Sequence, residues 1–211
     1  MSRGGKELVD GRGAARVVER LFAVVANGAK QPLMRDCDRE DFATHDGPRD
    51  GRSGELILRP VCEDDCRLVW EWANDPDVRA VSFSSDPISW SEHINWFTSK
   101  LSDARCIFWI ATNFDKQPVG LIRYDIEGAE AVVSIIIDRK FRGRGYGTQL
   151  IAIGAHELFA SSSVRTIHAY AKSSNTASLR AFEKAGFRNL GRTAVGKHEA
   201  VHLILVKDGD T

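Results

Sequence analysis

The sequence predicts an α/β (α+β) fold in which a mixed, mostly antiparallel sheet is flanked by helices. Three consecutive strand-like segments separated by short turns indicate an antiparallel meander. The helical segment of residues 147–161 then leads to a further strand, and such a crossover places a parallel pair in the middle of a sheet. With 211 residues, 43% of them hydrophobic, the chain can form one domain of ordinary size and an extension.

The first 54 residues differ in composition from the rest. Apolar residues recur at helical spacing within residues 14–26, which predicts one amphipathic helix. Residues 30–54 are rich in Asp, Arg and Gly and poor in apolar residues, as is typical of a flexible linker. The sequence therefore predicts an N-terminal helix and linker over residues 1–54 and a folded domain over residues 55–208.

The predicted domain begins with a strand and two helices. A short strand is expected at residues 56–59, and a helix at residues 63–74, ended by the Asn-Asp-Pro sequence that follows. Its face is predicted to carry Cys66, Val69, Trp70 and Ala73. Ser89 and Glu92 have the spacing of a capping box, so a second helix should begin there and continue to about Leu101. The strands that follow are predicted at residues 106–112, 119–126, 131–138 and 166–171.

A glycine-rich turn, Arg142-Gly-Arg-Gly-Tyr-Gly147, lies between a predicted strand and a predicted helix. Such a turn lets backbone N–H groups converge on a diphosphate, and the helix N-terminus favours the same anion. The alternating glycines do not fit the dinucleotide-binding spacing G-x-G-x-x-G, and the Gly-Lys-Ser/Thr of a P-loop is absent from the sequence. The turn therefore predicts a phosphorylated cofactor of another kind.

A second motif follows downstream, in residues 166–187. Asn175 is at the position expected of a helix N-cap, and Gly186 follows the sequence Glu183-Lys-Ala as a helix-ending glycine. Together, the R-x-x-G-x-G turn and this strand–Asn–helix–G-F segment resemble the two motifs of the GNAT superfamily of acetyl-CoA-dependent N-acetyltransferases. The resemblance covers roughly residues 55–207, and the family assignment makes residues 55–208 an acetyltransferase domain.

The resemblance implies a GNAT fold whose two central parallel strands splay apart to admit acetyl-CoA, with no metal. The implied reaction is transfer of the acetyl group to a primary amine. The cofactor-binding residues carried over from the family are Ile135, Ile136, Ile137, Arg142, Gly143, Arg144, Gly145, Tyr146, Gly147, Thr148, Asn175 and Phe182. The oxyanion is expected to take a backbone N–H near Ile136.

Attack on the thioester requires a deprotonated amine, so a carboxylate near the cleft is expected to act as general base. Glu130 is the candidate, although an exposed glutamate at a strand end needs no catalytic role; Glu127 and His168 are alternatives. Many family members have a tyrosine where this chain has Phe182, and that tyrosine protonates the departing thiolate. Without this tyrosine the thiolate leaves unprotonated. For a thiol pKa of about 8.5, this forgoes about 2 kcal/mol of protonation free energy at pH 7. Water, Ser178 or Tyr170 could substitute.

The acceptor is suggested by two further resemblances. Residues 70–97, with four tryptophans, resemble the acceptor-side helices of acetyltransferases of nucleotide-linked amino sugars in nonulosonic acid pathways. Residues 8–18 are similar to the last helix of the nucleotide-sugar hydrolase of the pseudaminic acid pathway. The expected acceptor is thus a UDP-amino sugar, although the tryptophans could serve packing alone. A protein or peptide N-terminal acetyltransferase and a non-catalytic CoA-binding module are the alternatives.

Composition bears on partners and location. Twenty-nine basic and 29 acidic residues give no electrostatic reason to expect nucleic acid or a membrane surface as partner. The apolar segment of residues 21–26 is too short for a signal peptide or a membrane span. The four cysteines form no C-x-x-C pair and are expected to be reduced thiols. A cytoplasmic protein is predicted, with a homodimer left open.

Overall fold

The computed structural model describes residues 42–44 and 56–209. Its strands are β1 (Phe42–Thr44), β2 (Ile57–Pro60), β3 (Cys106–Thr112), β4 (Pro118–Glu127), β5 (Glu130–Ile137), β6 (Thr166–Lys172), β7 (Arg188–Val195) and β8 (His198–Val206). Its α-helices are α1 (Cys66–Ala73), α2 (Pro76–Val81), α3 (Trp90–Ser102), α4 (Tyr146–Ser161) and α5 (Thr176–Lys184). The helix predicted at residues 14–26 lies outside the described residues.

All eight strands form one sheet in the order β1-β2-β3-β4-β5-β6-β8-β7. The β5–β6 pair is parallel, and the other neighbours are antiparallel. The meander β3-β4-β5 and the crossover through α4 therefore occur as predicted, and they place the parallel pair inside the sheet. The mixed, mostly antiparallel fold is confirmed.

The start of α3 shows how local chemistry defines an element. The Ser89 hydroxyl accepts a hydrogen bond from the Glu92 N–H at 3.3 Å, and the Glu92 carboxylate accepts one from the Ser89 N–H at 3.1 Å. This reciprocal pair is the capping box that the sequence predicts, and it satisfies N–H groups that a helix start leaves without intrahelical partners.

The region around α1 and α2 differs from the prediction. The Asn-Asp-Pro sequence ends α1, but it also starts α2, which was not predicted. The Asp75 carboxylate accepts from the N–H groups of Asp77 and Val78, and Pro76 occupies the first helical position, where a missing N–H costs nothing. The predicted face of α1 is also wrong in part, since the buried side chains are Val69 and Trp72 rather than Trp70.

The sheet carries an apolar layer on each face. Leu150 and Leu158 of α4 pack with Ile122 and Ile167 on one face, whereas Val69, Phe97 and Phe108 belong to the layer on the other. Each such fully buried side chain contributes roughly 1.5–3 kcal/mol. Gly154 brings α4 close to β4, because a Cβ there would lie 2.9 Å from both Ile122 Cδ1 and the Tyr124 hydroxyl.

Two cysteines of the described region carry free thiols, Cys66 and Cys106. Cys62 is disulfide-bonded, so the expectation of reduced thiols is wrong for this residue. Cysteine pairing cannot be deduced from sequence alone, which explains the error. Within residues 56–209, no helix is both long enough and apolar enough to cross a membrane.

Candidate active site

The two parallel strands separate after a short paired segment. The register joins Glu130 to Thr166, Ala131 to Ile167 and Val132 to His168, and no pairing follows. On its other side β5 stays paired with β4 as far as Ile137. The backbone of residues 135–137 therefore has one side bound to the sheet and the other side facing a gap, as the predicted splay requires.

The glycine-rich turn lies at the same end of β5. Gly143 and Gly145 have φ angles of +75° and +88°, a region that favours glycine. Gly145 is the N-cap of α4 and supplies no side-chain cap. Within the described part of the chain, the N–H groups of residues 143–148 donate to no protein acceptor. Together with the helix dipole, these unused donors can bind a diphosphate.

The two arginines of the turn have different surroundings. The Arg142 guanidinium donates to the Ile137 carbonyl at 2.9 Å and lies 3.1 and 3.0 Å from carboxylate oxygens of Asp75 and Asp77. The guanidinium carbon of Arg144 lies 6.0 Å from the centre of the Phe141 ring. No carboxylate pairs with Arg144 among the residues that the structure describes. Arg142 thus holds the turn in place, whereas the charge of Arg144 is available.

Helix α5 forms a wall of the gap. The Asn175 side chain caps α5 by accepting from the Ser178 N–H at 3.1 Å. Phe182 is 3% exposed and packs edge-on against Phe187, with ring centroids 5.0 Å apart. The predicted N-cap is therefore confirmed, and Phe182 belongs to the apolar core as well as to the cleft.

One cleft of about 2350 Å³ joins these features to the helices on the other side of the sheet. This volume exceeds the 300–1,000 Å³ of an ordinary ligand pocket, so it can hold two substrates at once. Predicted cofactor residues that line it are Ile135, Ile136, Ile137, Arg142, Gly143, Gly145, Gly147, Thr148, Asn175 and Phe182. The Arg144 and Tyr146 side chains do not line it; Tyr146 is buried against Phe141.

The candidate base Glu130 belongs to a cluster with two histidines and a tyrosine. Glu130 Oε2 lies 3.7 Å from His168 Nε2, and His168 Nδ1 lies 2.9 Å from His202 Nε2. The Tyr170 ring stacks on His202 with a centroid distance of 4.6 Å. Glu130 does not line the cleft, whereas Tyr170 and the alternative base Glu127 do. Three candidates that the sequence treats separately, Glu130, His168 and Tyr170, are thus brought together.

Burial controls protonation in this cluster. It lowers the pKa of His168, and burial followed by the neighbouring His168 lowers the pKa of His202 to about 4. Burial, followed by the negative charge of Glu130, raises the pKa of Tyr170 to about 12. At neutral pH both imidazoles are therefore uncharged and the Tyr170 phenol keeps its proton. His202 was missed by sequence reasoning, because it joins the cluster only through the pairing of Tyr170 with His202 across β6 and β8.

A second polar cluster lies in the cleft beneath α3. Lys100 Nζ is 2.5 Å from Asp125 Oδ1, and Arg123 Nε donates to Asp125 Oδ2 at 3.0 Å. The Trp96 ring faces Arg123, with 5.0 Å between the guanidinium carbon and the ring centroid. All four residues line the cleft, and none of the three charged ones was predicted. Two cations share one carboxylate here, so the cluster carries a net positive charge.

The other tryptophans mainly pack and fix loops. Trp70 donates to the Ile88 carbonyl at 2.9 Å and contacts Trp90 edge-on at 5.4 Å. Trp72 donates to Asp138 at 2.8 Å and so ties α1 to the end of β5. Trp90 remains 40% exposed. Of the four tryptophans in residues 70–97, only Trp96 lines the cleft. Within residues 56–209, no group of three or more His, Cys, Asp or Glu side chains is suited to a metal ion.

Residues 55–188 match the family model described as the acetyltransferase (GNAT) domain. An uncharacterized protein of Methanocaldococcus jannaschii is 22% identical over 141 residues, which are 65% of this chain and 29% of that protein. The chain therefore spans less than a third of the length of that curated relative.

Solved structures share the fold at low identity. The spermidine N-acetyltransferase of Vibrio cholerae, in complex with CoA and spermine, aligns with a TM-score of 0.64 and 19% identity over 72% of this chain and 95% of its own. The aminoglycoside acetyltransferase AAC(6')-Ib, with paromomycin and acetyl-CoA, aligns with a TM-score of 0.64 and 19% identity over 74% of this chain and 99% of its own. A domain from Methanocaldococcus jannaschii also aligns with a TM-score of 0.64 and 19% identity, over 74% of this chain and 100% of that domain.

Proposed function

This chain belongs to the acetyltransferase (GNAT) family, and on that premise we propose that it transfers the acetyl group of acetyl-CoA to a primary amine of a small molecule. One observation carries the proposal. The backbone N–H groups of residues 143–148 have no protein acceptor, and they lie where β5 and β6 separate. The diphosphate of acetyl-CoA would bind these groups, and its pantetheine would pair with the open backbone side of residues 135–137. Solved neighbours that hold CoA or acetyl-CoA support this placement.

In the proposed reaction, the amine lone pair attacks the thioester carbon, the C–S bond breaks, and the electron pair leaves on sulfur. The amine loses one proton and the thiolate gains one, so the step balances. An N–H near Ile136 would stabilise the oxyanion. Glu130 would accept the amine proton through a bridging water, since neither Glu130 nor the two histidines beside it line the cleft. Tyr170, which does line it, is the donor we favour for the thiolate in place of Phe182.

We further propose that the acceptor is the amino group of a nucleotide-linked sugar, such as a UDP-amino sugar of a nonulosonic acid pathway. The cleft has room for such an acceptor beside CoA, and Trp96 with Arg123 offers a flat surface and hydrogen-bond donors. The similarity of residues 8–18 to a nucleotide-sugar hydrolase falls outside the described residues. A cytoplasmic location and a homodimer stay predictions.

Release of the CoA thiol from acetyl-CoA tests the proposal. The purified chain is incubated with UDP-amino sugars, free amino sugars, spermidine, an aminoglycoside and ribosomal-type peptides. We expect thiol release with the sugar nucleotides, together with a mass increase of one acetyl group on the acceptor. Turnover of peptides alone would replace the proposal by an N-terminal acetyltransferase. Tight acetyl-CoA binding without turnover of any amine would indicate a non-catalytic module, in keeping with Phe182.

A further inference from the structure

Arg79 is an arginine of α2 that lines the cleft and has no carboxylate partner in the described part of the chain. Its Nη1 donates to the main-chain carbonyl of Asp86 at 3.3 Å, and its Nη2 donates to the Ser82 hydroxyl at 3.1 Å. Its Nε is enclosed and has no acceptor. Only two of the five N–H donors of this guanidinium are therefore used.

The other half-buried arginines of the cleft differ from Arg79 in this respect. Arg123 is paired with Asp125, and Arg142 is paired with Asp75 and Asp77. A partly buried cation without a counter-charge is unfavourable, because burial removes hydration that nothing replaces. Burial accordingly lowers the pKa of Arg79. A bound anion would supply the missing counter-charge.

The protein fixes the position of α2 at both ends. Near its start, Asp75 and Asp77 bind Arg142, which follows β5. Near its end, Lys172, the last residue of β6, donates to the Ala80 carbonyl at 3.3 Å. Helix α2 thus bridges the ends of the two separated strands.

The segment after α2 is also held. Asn74 binds both main-chain groups of Ile88, at 2.8 and 3.1 Å, and the Ser82 hydroxyl donates to the Val78 carbonyl at 2.6 Å. The guanidinium of Arg79 is therefore placed before a ligand arrives, which reduces the entropy lost on binding.

We propose that Arg79 binds a phosphate group of the acceptor, so that the acceptor is a phosphate-bearing amine and not a polycation. The proposal rests on the function proposed above and names its substrate class. A guanidinium with free N–H groups suits phosphate oxygens. CoA carries phosphate as well, but the free N–H groups of residues 143–148 already offer its diphosphate a separate site. The net positive charge shared by Lys100, Arg123 and Asp125 also favours an anionic acceptor over polyamines and aminoglycosides.

Calorimetric titration of the full chain, saturated with CoA, tests the proposal with uridine diphosphate and inorganic pyrophosphate as probes. Because CoA fills its own site, a probe that still binds occupies another. We expect both probes to bind, Arg79→Gln to weaken them by about tenfold or more, and CoA affinity to stay within about twofold. Arg79→Lys keeps the charge and should lose less. Arg105→Gln is the matched control, since Arg105 lines the same cleft but pairs with Asp103 at 3.3 Å.

Two results would overturn the proposal. If neither probe binds to the CoA-saturated protein, Arg79 is not an acceptor phosphate site. If Arg79→Gln instead weakens CoA, and the probes bind only without CoA, the phosphate belongs to CoA. Thermal melting of Arg79→Gln and Arg79→Lys separates lost binding from lost folding. Failure of the wild-type chain to bind CoA would contradict the proposed function alone, because the probes can be titrated without CoA.

Discussion

The two arginines of the glycine-rich turn should respond differently to the same substitution. Arg144 is exposed and has no carboxylate partner in the described region, so Arg144→Gln removes a charge available to the cofactor phosphates. A single exposed charge contact of this kind contributes about 1 kcal/mol. We therefore expect the Kd for acetyl-CoA to rise about fivefold and its dependence on ionic strength to weaken.

Arg142→Gln acts on the fold instead. It removes the contacts to Asp75, Asp77 and the Ile137 carbonyl, which join α2 to the end of β5. Because the side chains of Arg142 and Asp75 are only 29% and 16% exposed, we expect a loss of about 1–2 kcal/mol of folding free energy. The melting temperature should fall by roughly 2–8 °C for a domain of this size. Binding should also weaken, because Asp75 and Asp77 lose their cation beside the turn, but the loss of stability is expected of this variant alone.

Calorimetric titration of acetyl-CoA at low and high ionic strength, with thermal melting of each variant, separates the two effects. Arg188→Gln serves as control, because Arg188 is exposed and belongs to β7, away from the glycine-rich turn. Equal losses of thermal stability for Arg142→Gln and Arg144→Gln would refute the distinction.

Four further variants probe the acid, the core and the histidine cluster. Phe182→Tyr should raise kcat at pH 7 by at most about thirtyfold, and the gain should disappear above about pH 8.5, where the thiolate needs no proton; a gain independent of pH contradicts this role. Tyr124→Phe should raise the free energy of unfolding in urea by about 1–3 kcal/mol, because the buried Tyr124 hydroxyl has no hydrogen-bond partner. Gly154→Ala should lower the same free energy by about 1–3 kcal/mol, because its new Cβ would make contacts of 2.9 Å. Since the folded-state pKa of His202 is about 4, the unfolded chain binds the proton first, and stability should fall as the pH drops from about 6.5 towards 4. His202→Phe should make the free energy of unfolding less dependent on pH in this range. An unchanged dependence would contradict the role given to His202.

Elements governed by neighbouring residues were predictable from the sequence. β3 has the predicted bounds, Cys106–Thr112, because a short continuous apolar segment between turns is typical of a strand. The capping box of Ser89 and Glu92 and the N-cap of Asn175 were predicted for the same reason. The Asn-Asp-Pro sequence was correctly interpreted as the end of α1, but its second role as the start of α2 was missed, because an aspartate before proline can end one helix and cap the next.

Features that depend on contacts between distant segments could not be predicted. His202 meets Tyr170 through the register of β6 and β8, and Asp125 meets Lys100 across 25 positions of sequence. Arg79 is notable only because the cleft surrounds it and no carboxylate of the described residues pairs with it. The position of Glu130 could not be predicted either, because only the folded structure shows that the start of β5 lies outside the cleft.

The opening between β5 and β6 depends on β5 being held firmly on its other side. A Cβ on Gly120 would lie 2.4 Å from the Ile136 carbonyl oxygen, so glycine permits β4 to approach β5 closely where β5 has lost β6. On the side of residues 135–137 that faces the gap, the backbone groups have no neighbouring strand. Leaving these groups without hydrogen bonds is unfavourable until a ligand pairs with them. Acetyl-CoA binding should therefore stabilise the fold by mass action, with a melting temperature that rises with its concentration. Gly120→Ala should reduce this rise as well as the basal stability, because it displaces the strand against which the cofactor binds.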